Sequence, residues 1–207
     1  MIILTLQRNA KFDYFQRKMN NIAIFASGSG TNAENLIRFF RTSRLGRVRI
    51  VLTNRADAGV IPRAQSLAIE TIVFTREQFY NSNAVVDLLF ERRIDFIVLA
   101  GFLWLVPDSL LKSFENKMLN IHPALLPKYG GKGMYGKHVH KAVIDAGDTE
   151  SGITIHYVNQ QYDEGDIVFQ IKCSIEPEDT PDTLAGKIHK LEYAHFPRVV
   201  ERLLEEL

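Results

Sequence analysis

Residues 94–133 read IDFIVLAGFLWLVPDSLLKSFENKMLNIHPALLPKYGGKG, and they limit the fold more than any other stretch. They hold two short apolar runs, Phe96–Ala100 and Met118–Ile121, and each stops abruptly. The first enters Gly101-Phe102-Leu103-Trp104-Leu105-Val106-Pro107, and the second ends in Asn120-Ile121-His122-Pro123. Short apolar runs bounded by turn residues suit buried strands of a parallel sheet. In an open α/β sheet, ligands bind just beyond the carboxyl ends of such strands.

The rest of the chain repeats the pattern. Ile22–Ala26 runs into Ser27-Gly28-Ser29-Gly30-Thr31-Asn32, and Leu36, Ile37, Phe39 and Phe40 follow at near-helical spacing. Arg47–Thr53 and Thr71–Phe74 read as strands, Val60–Leu67 and Gln78–Arg92 as helices, and Asp108–Phe114 as a short helix between the two central strands. Strand–helix alternation of this kind predicts a parallel sheet with right-handed crossovers. Ser151–Val158 alternates Ile153, Ile155 and Tyr157 against Thr154, His156 and Val158, which is a strand pattern. With Asp166–Ile175 and the short polar connection 159–165 it predicts a hairpin. Thr180-Pro181 marks a helix start, and Pro197 is expected to kink or restart that helix.

Asn120 and His122 are two apart, so an extended segment points both side chains to one face. Pro123 biases His122 away from helix and preserves that alternation. An amide can donate to a developing oxyanion, and an imidazole can move a proton near neutral pH. A strand end whose Asn and His merely cap a turn is the plainer alternative. Gly28-x-Gly30-x-x-Ala33 satisfies the dinucleotide fingerprint formally, but the next strand ends Thr53-Asn54-Arg55 with no carboxylate until Asp57. Free N–H groups at the helix start, with Thr31 and Asn32, suit a single phosphate monoester, with a plain structural turn as the alternative. The long loop after His122 carries four glycines and two prolines in residues 123–136, as functional loops do. A cis bond is expected at Leu126–Pro127, where the chain must reverse. His138-Val139-His140 opens a helix at a spacing that scatters the two imidazoles, so no metal site is expected. Taken alone, Asp163 is a turn residue.

The formal net charge of +1 gives no field that would favour nucleic acid or a membrane, and neither is expected as a partner. A single cysteine, Cys173, excludes an intramolecular disulfide. The N-terminus places its apolar residues before its charged ones, the reverse of a signal peptide, so a cytoplasmic protein is expected. Residues 1–20 are expected to form an extension without fixed structure, with Met19 as a second candidate start, and residues 21–207 one domain.

Five segments together resemble the glycinamide ribonucleotide formyltransferase family of the 10-formyltetrahydrofolate-dependent group. They are IAIFASGSGTN (Ile22–Asn32), DFIVLAGF (Asp95–Phe102), NIHPALLPKYGG (Asn120–Gly131), SGITIHYV (Ser151–Val158) and YDEGDIV (Tyr162–Val168). The resemblance implies an α/β, Rossmann-like three-layer sandwich with a mostly parallel sheet and an antiparallel C-terminal hairpin. It implies Asn120, His122 and Asp163 as catalytic residues and Gly30, Thr31 and Asn32 as the substrate phosphate site. Glu192 and His189 would meet the ribose. Leu103, Trp104, Leu105, Val106, Asn120, Asn159, Gln160, Gln161, Tyr162 and Asp163 would meet the folate, a co-substrate that makes a metal unnecessary. The chain departs from the family pattern at Trp104, where a basic residue is common, and near Asn81–Asn83, where an arginine usually meets the folate glutamate tail. The lid loop Lys132–Lys137 is also longer than in many relatives. A formyltetrahydrofolate deformylase would use the same Asn, His and Asp with water, but with an added N-terminal domain. A methionyl-tRNA formyltransferase would add a C-terminal RNA-binding domain. A non-catalytic phosphate- or nucleotide-binding module would keep only the glycine turn. Oligomeric state is left open.

Overall fold

The computed structural model describes residues 18–207. The expected N-terminal extension falls almost entirely outside them. The first strand, β1 (Asn20–Phe25), begins one residue before the expected domain boundary. There follow α1 (Thr31–Phe40), β2 (Gly46–Thr53), α2 (Val60–Ser66), β3 (Glu70–Val73), α3 (Arg76–Tyr80) and α4 (Ala84–Glu91). The second half holds β4 (Phe96–Leu99), α5 (Asp108–Ser113), β5 (Met118–His122), α6 (Lys137–Asp145), β6 (Glu150–Tyr157), β7 (Ile167–Ser174) and α7 (Pro181–Leu204).

The seven strands form one sheet in the order β3-β2-β1-β4-β5-β6-β7. β1 to β5 are parallel, and β6 and β7 are antiparallel additions. Alternation along β1 divides the core. Ile22 and Ile24 pack with Leu36, Val60, Val139 and Leu184 beneath α1, α2, α6 and α7. Ala23 and Phe25 pack with Phe79, Val85, Leu89 and Leu110 beneath α3, α4 and α5. The three-layer α/β sandwich with its antiparallel C-terminal hairpin is therefore present.

Chain direction across the sheet reverses between β1 and β4, and crevices open at such a point. Ser27 fastens it. Its N–H donates to Gly101 O at 2.9 Å. Its hydroxyl donates to Asn54 Oδ1 at 2.7 Å and accepts from the Leu103 N–H at 3.0 Å. One serine thus ties together the ends of β1, β2 and β4.

Two helices depart from expectation. The predicted Gln78–Arg92 helix is two, α3 and α4, because Thr75 caps an earlier start through a box with Gln78. Ser82 then takes over local bonding, donating to Gln78 O and accepting from Ala84 N–H. Such side chains compete with the helix ladder. Pro197, by contrast, lies inside α7 without ending it. Proline leaves the carbonyl four residues earlier without its helical donor. That carbonyl, Tyr193 O, accepts instead from Asn35 Nδ2 of α1 at 3.0 Å.

Candidate functional site

β5 delivers Asn120 and His122 to one face, as the alternation predicts, and its neighbour β6 sets His156 opposite Asn120 and Thr154 opposite His122. The β6–β7 loop brings Asp163 to the same place. Its backbone is left-handed, φ 59°, a conformation that Asp tolerates better than most residues. The loop can approach so closely because position 165 is glycine: a Cβ there would lie 1.7 Å from Tyr157 O.

Four polar side chains converge. Asn120 Nδ2 lies 3.1 Å from His156 Nε2 and donates to Asp163 Oδ1 at 3.3 Å. His156 Nδ1 is 2.8 Å from Tyr157 O. A carbonyl only accepts, so Nδ1 carries the proton and Nε2 accepts from Asn120. His122 Nε2 donates to Tyr129 O at 2.8 Å, and Nδ1 faces Asp163 Oδ2 at 3.4 Å. The Gly131 N–H donates to the same carboxylate oxygen at 2.9 Å. Burial pushes the His122 imidazolium down, and Asp163 and the Tyr129 carbonyl offset this only in part, so its pKa lies below the ordinary value. Burial pushes the Asp163 carboxyl up, but the His156 and His122 rings when protonated, together with the Gly131 N–H, outweigh it and hold the group below its ordinary value.

The loop after His122 is anchored from β6 and β7. Leu126–Pro127 is cis, as expected. Thr154 Oγ1 donates to Ala124 O at 2.7 Å and accepts from the Leu126 N–H at 3.0 Å. Gln170 Nε2 reaches Leu126 O at 2.9 Å. His156, Thr154 and Gln170 escaped the sequence reading. The signal for two of them was present, since Thr154 and His156 alternate on the polar face of the strand that pairs with β5.

Beside the carboxylate and the amide lies a narrow cleft. Leu99, Phe102, Trp104, Leu105 and Val106 wall one side, and Asn159, Gln161, Tyr162 and Asp163 the other. Of the predicted folate contacts, Leu103 and Gln160 stand outside this lining. Leu103 N–H is bound to Ser27, and Gln160 faces an adjoining groove with Lys112.

The glycine turn lies at the end of β1. Gly30 caps α1 at φ 78°, and a Cβ there would sit 2.5 Å from Val60 at the start of α2. Glycine is needed here for both the turn and the close approach. From α2, Arg63 Nε donates to Ser29 O at 3.0 Å. The first N–H groups of α1 open beyond the turn without helical partners. The Asn32 side chain points the other way, donating from Nδ2 to Glu192 Oε2 of α7 at 2.9 Å. One of its two side-chain N–H groups is therefore engaged inward, while its backbone N–H stays in the first turn of α1. Glu192 is 5% exposed, and burial raises its pKa to about 7 against the opposing Asn32 bond. His189 is exposed on α7, stacked on Tyr193, and is not bonded to Asn32 or Glu192. His140 of α6 is buried with Nδ1 unpaired, and burial, with His189 and His122 nearby, takes its pKa down to about 4. Among the described residues, no group of three or more His, Cys, Asp and Glu could hold a metal, and no helix is long and apolar enough to cross a membrane.

The chain matches the formyl transferase family over residues 20–200. It is 38% identical over 195 residues to "Phosphoribosylglycinamide formyltransferase, chloroplastic" of Arabidopsis thaliana, covering 91% of this chain and 67% of that protein. A chloroplastic protein of the same name from Vigna unguiculata is matched over 62% of its length, so the chain spans about two thirds of these plant relatives. Against the phosphoribosylglycinamide formyltransferase of Haemophilus influenzae the identity is 36%, over 90% of this chain and 88% of that one. The crystal structure of phosphoribosylglycinamide formyltransferase from Bacillus halodurans superposes with a TM-score of 0.80 at 38% identity, covering 89% of this chain and 95% of that one.

Proposed function

Since the chain belongs to the formyl transferase family, we propose that it transfers the formyl group of 10-formyltetrahydrofolate to the amine of glycinamide ribonucleotide, the formyl-transfer step of purine biosynthesis. The observation that carries this reading is the convergence of Asn120, His122, His156 and Asp163, of which Asn120, His156 and Asp163 line one cleft and His122 faces Asp163 at 3.4 Å. The pterin end of the folate occupies the cleft between Trp104–Val106 and Asn159–Asp163. The nucleotide phosphate meets the N–H groups at the start of α1 and the Thr31 hydroxyl, with its ribose toward Glu192.

The chemistry follows from the protonation states. At rest His122 is neutral, its Nε2–H on the Tyr129 carbonyl and its Nδ1 lone pair open toward Asp163. The substrate amine attacks the formyl carbon, and the carbonyl oxygen becomes an oxyanion. Asn120 turns an N–H from Asp163 to that oxygen, a donor aimed where charge develops. The proton leaving the amine is taken up at His122 Nδ1, and Asp163 stabilises the imidazolium so formed. Collapse of the tetrahedral carbon breaks its bond to N10 of the folate, which receives the proton. His156 positions the Asn120 amide by accepting its other N–H.

The rival readings as a deformylase, a tRNA formyltransferase or a non-catalytic module find no support among these relatives. Rates with glycinamide ribonucleotide and with water as acceptor test the assignment. Formyl transfer to the nucleotide amine should dominate. Formate release at the same rate with and without the nucleotide would overturn it.

A further inference from the structure

Tyr129, in the loop just beyond Pro127, has a left-handed backbone, φ 57°, a conformation uncommon outside glycine. Such a backbone persists only where surrounding contacts hold it, and it collects at active sites. Two contacts hold Tyr129 at opposite ends. Its carbonyl accepts from His122 Nε2 at 2.8 Å, and its phenol donates to Oδ2 of Asp148, just before β6, at 2.8 Å. The half-buried ring between them packs on the core. Asp148 also takes Lys128 Nζ at 3.2 Å, and the phenol and the ammonium together hold its carboxyl below the ordinary value. Two residues beyond Tyr129, the Gly131 N–H donates to Asp163. One turn thus touches both members of the His122–Asp163 pair, while its side chain is moored outside the site.

A neutral imidazole carries one ring proton. Two acceptors face the His122 ring: Tyr129 O opposite Nε2 at 2.8 Å, and Asp163 Oδ2 opposite Nδ1 at 3.4 Å. The carboxylate attracts a proton more strongly by its charge, so the nearer carbonyl must stay in place to keep that proton on Nε2. If the carbonyl drew back, the proton would settle on Nδ1 against Asp163, and Nδ1 would have no lone pair to offer. We infer that the Tyr129–Asp148 hydrogen bond is a positioning device for catalysis: it fixes the Tyr129 carbonyl, which in turn sets the ring tautomer of His122. This rests on the reading of His122 Nδ1 as the acceptor of the amine proton. The Tyr129 phenol and Asp148 are positioning groups that act through that carbonyl.

The direct readout is ring-nitrogen NMR of histidine-labelled protein above neutral pH, which separates a protonated from an unprotonated ring nitrogen. The His122 signals are those missing from His122→Gln. Wild type should show a proton on Nε2 and none on Nδ1. Tyr129→Phe keeps the ring and loses the donor. It should move the His122 proton toward Nδ1 and lower kcat about three- to tenfold, as for one lost hydrogen bond, with the KM for both substrates within about twofold. Asp148→Ala should do the same, and the two changes together should do no more than either alone, since they remove one contact. Asp148→Asn keeps an acceptor for the phenol and should preserve both tautomer and kcat. Lys128→Gln, which removes the exposed partner of the same carboxylate, should also leave both as in wild type. A His122 proton that sits on Nδ1 in the wild type, or stays on Nε2 in Tyr129→Phe and Asp148→Ala, would overturn the inference. So would a fall in kcat with no change of tautomer, or an Asp148→Asn variant as impaired as Asp148→Ala. The expected tautomer shift in a protein that does not formylate the nucleotide would uphold the device and sink the assigned reaction instead.

Discussion

Glu192→Gln separates the charge of a buried carboxyl from its shape. Glutamine keeps a carbonyl oxygen for the Asn32 Nδ2 donor and nearly the same volume, but cannot ionise. The native carboxyl holds its proton up to a pKa of about 7, whereas an unfolded chain releases it near the ordinary 4.5. Between those values the native state binds more protons, so its stability falls as pH rises. At about 1.4 kcal/mol per pKa unit, the full loss is on the order of 3 kcal/mol. It is absent below about pH 4.5 and nearly complete above about pH 8. The side chain is almost fully buried, so solvent screening reduces this little. His140 works in the opposite direction, because its native pKa of about 4 lies below the ordinary 6.5 and its contribution grows as pH rises between them. The quantity to measure is therefore the difference between wild type and variant. Urea unfolding of both proteins at about pH 5, 6, 7 and 8 should show the variant gaining on the wild type by about 3 kcal/mol across the series. A difference that stays constant with pH would refute the reasoning, because a mere packing change does not titrate.

Four further substitutions test the geometry. His122→Ala should lower kcat by about 10²–10⁴, and Asn120→Ala by about 10²–10³, in a formyl-transfer assay with both substrates saturating. Gly30→Ala forces a side chain into Val60 at a left-handed φ, so it should cost at least about 1–3 kcal/mol in chemical denaturation; it should also raise the KM for the nucleotide more than that for the folate. Asn35→Ala removes the donor to Tyr193 O opposite Pro197, and should cost about 1 kcal/mol of stability with kcat unchanged.

The parts legible in the sequence share one property: they depend on local pattern. The apolar runs and the turns that stop them place β1, β4 and β5, and the two-residue spacing of Asn120 and His122 gives their common face. Thr180-Pro181 opens α7 where expected. What stayed hidden depends on contacts distant in sequence. His156 joins Asn120 only through the register of β5 on β6, across 36 positions. The Asn32–Glu192 bond spans 160 positions, and it decides that the Asn32 amide faces inward. Pro197 looked like a break because its remedy, Asn35, lies in α1. The helix predicted over 78–92 failed for a local reason, the capping by Thr75 and Ser82 around it.

The left-handed backbone of Asp163 has a consequence for how this position can vary. The residue must satisfy two demands at once, a positive φ and a short carboxylate that reaches Gly131, His122 and Asn120. Glycine meets the first demand and loses the charge. Glutamate keeps the charge but is a poorer occupant of that backbone, and its extra methylene would push the oxygens past their partners. Asparagine fits the loop and the reach, yet its amide offers only one acceptor oxygen where the carboxylate offers two and carries no charge to hold an imidazolium. Every single-residue step away from aspartate therefore gives up backbone ease, reach or charge. Position 163 has no neutral neighbour in sequence space, and a lineage could change it only together with the loop around it.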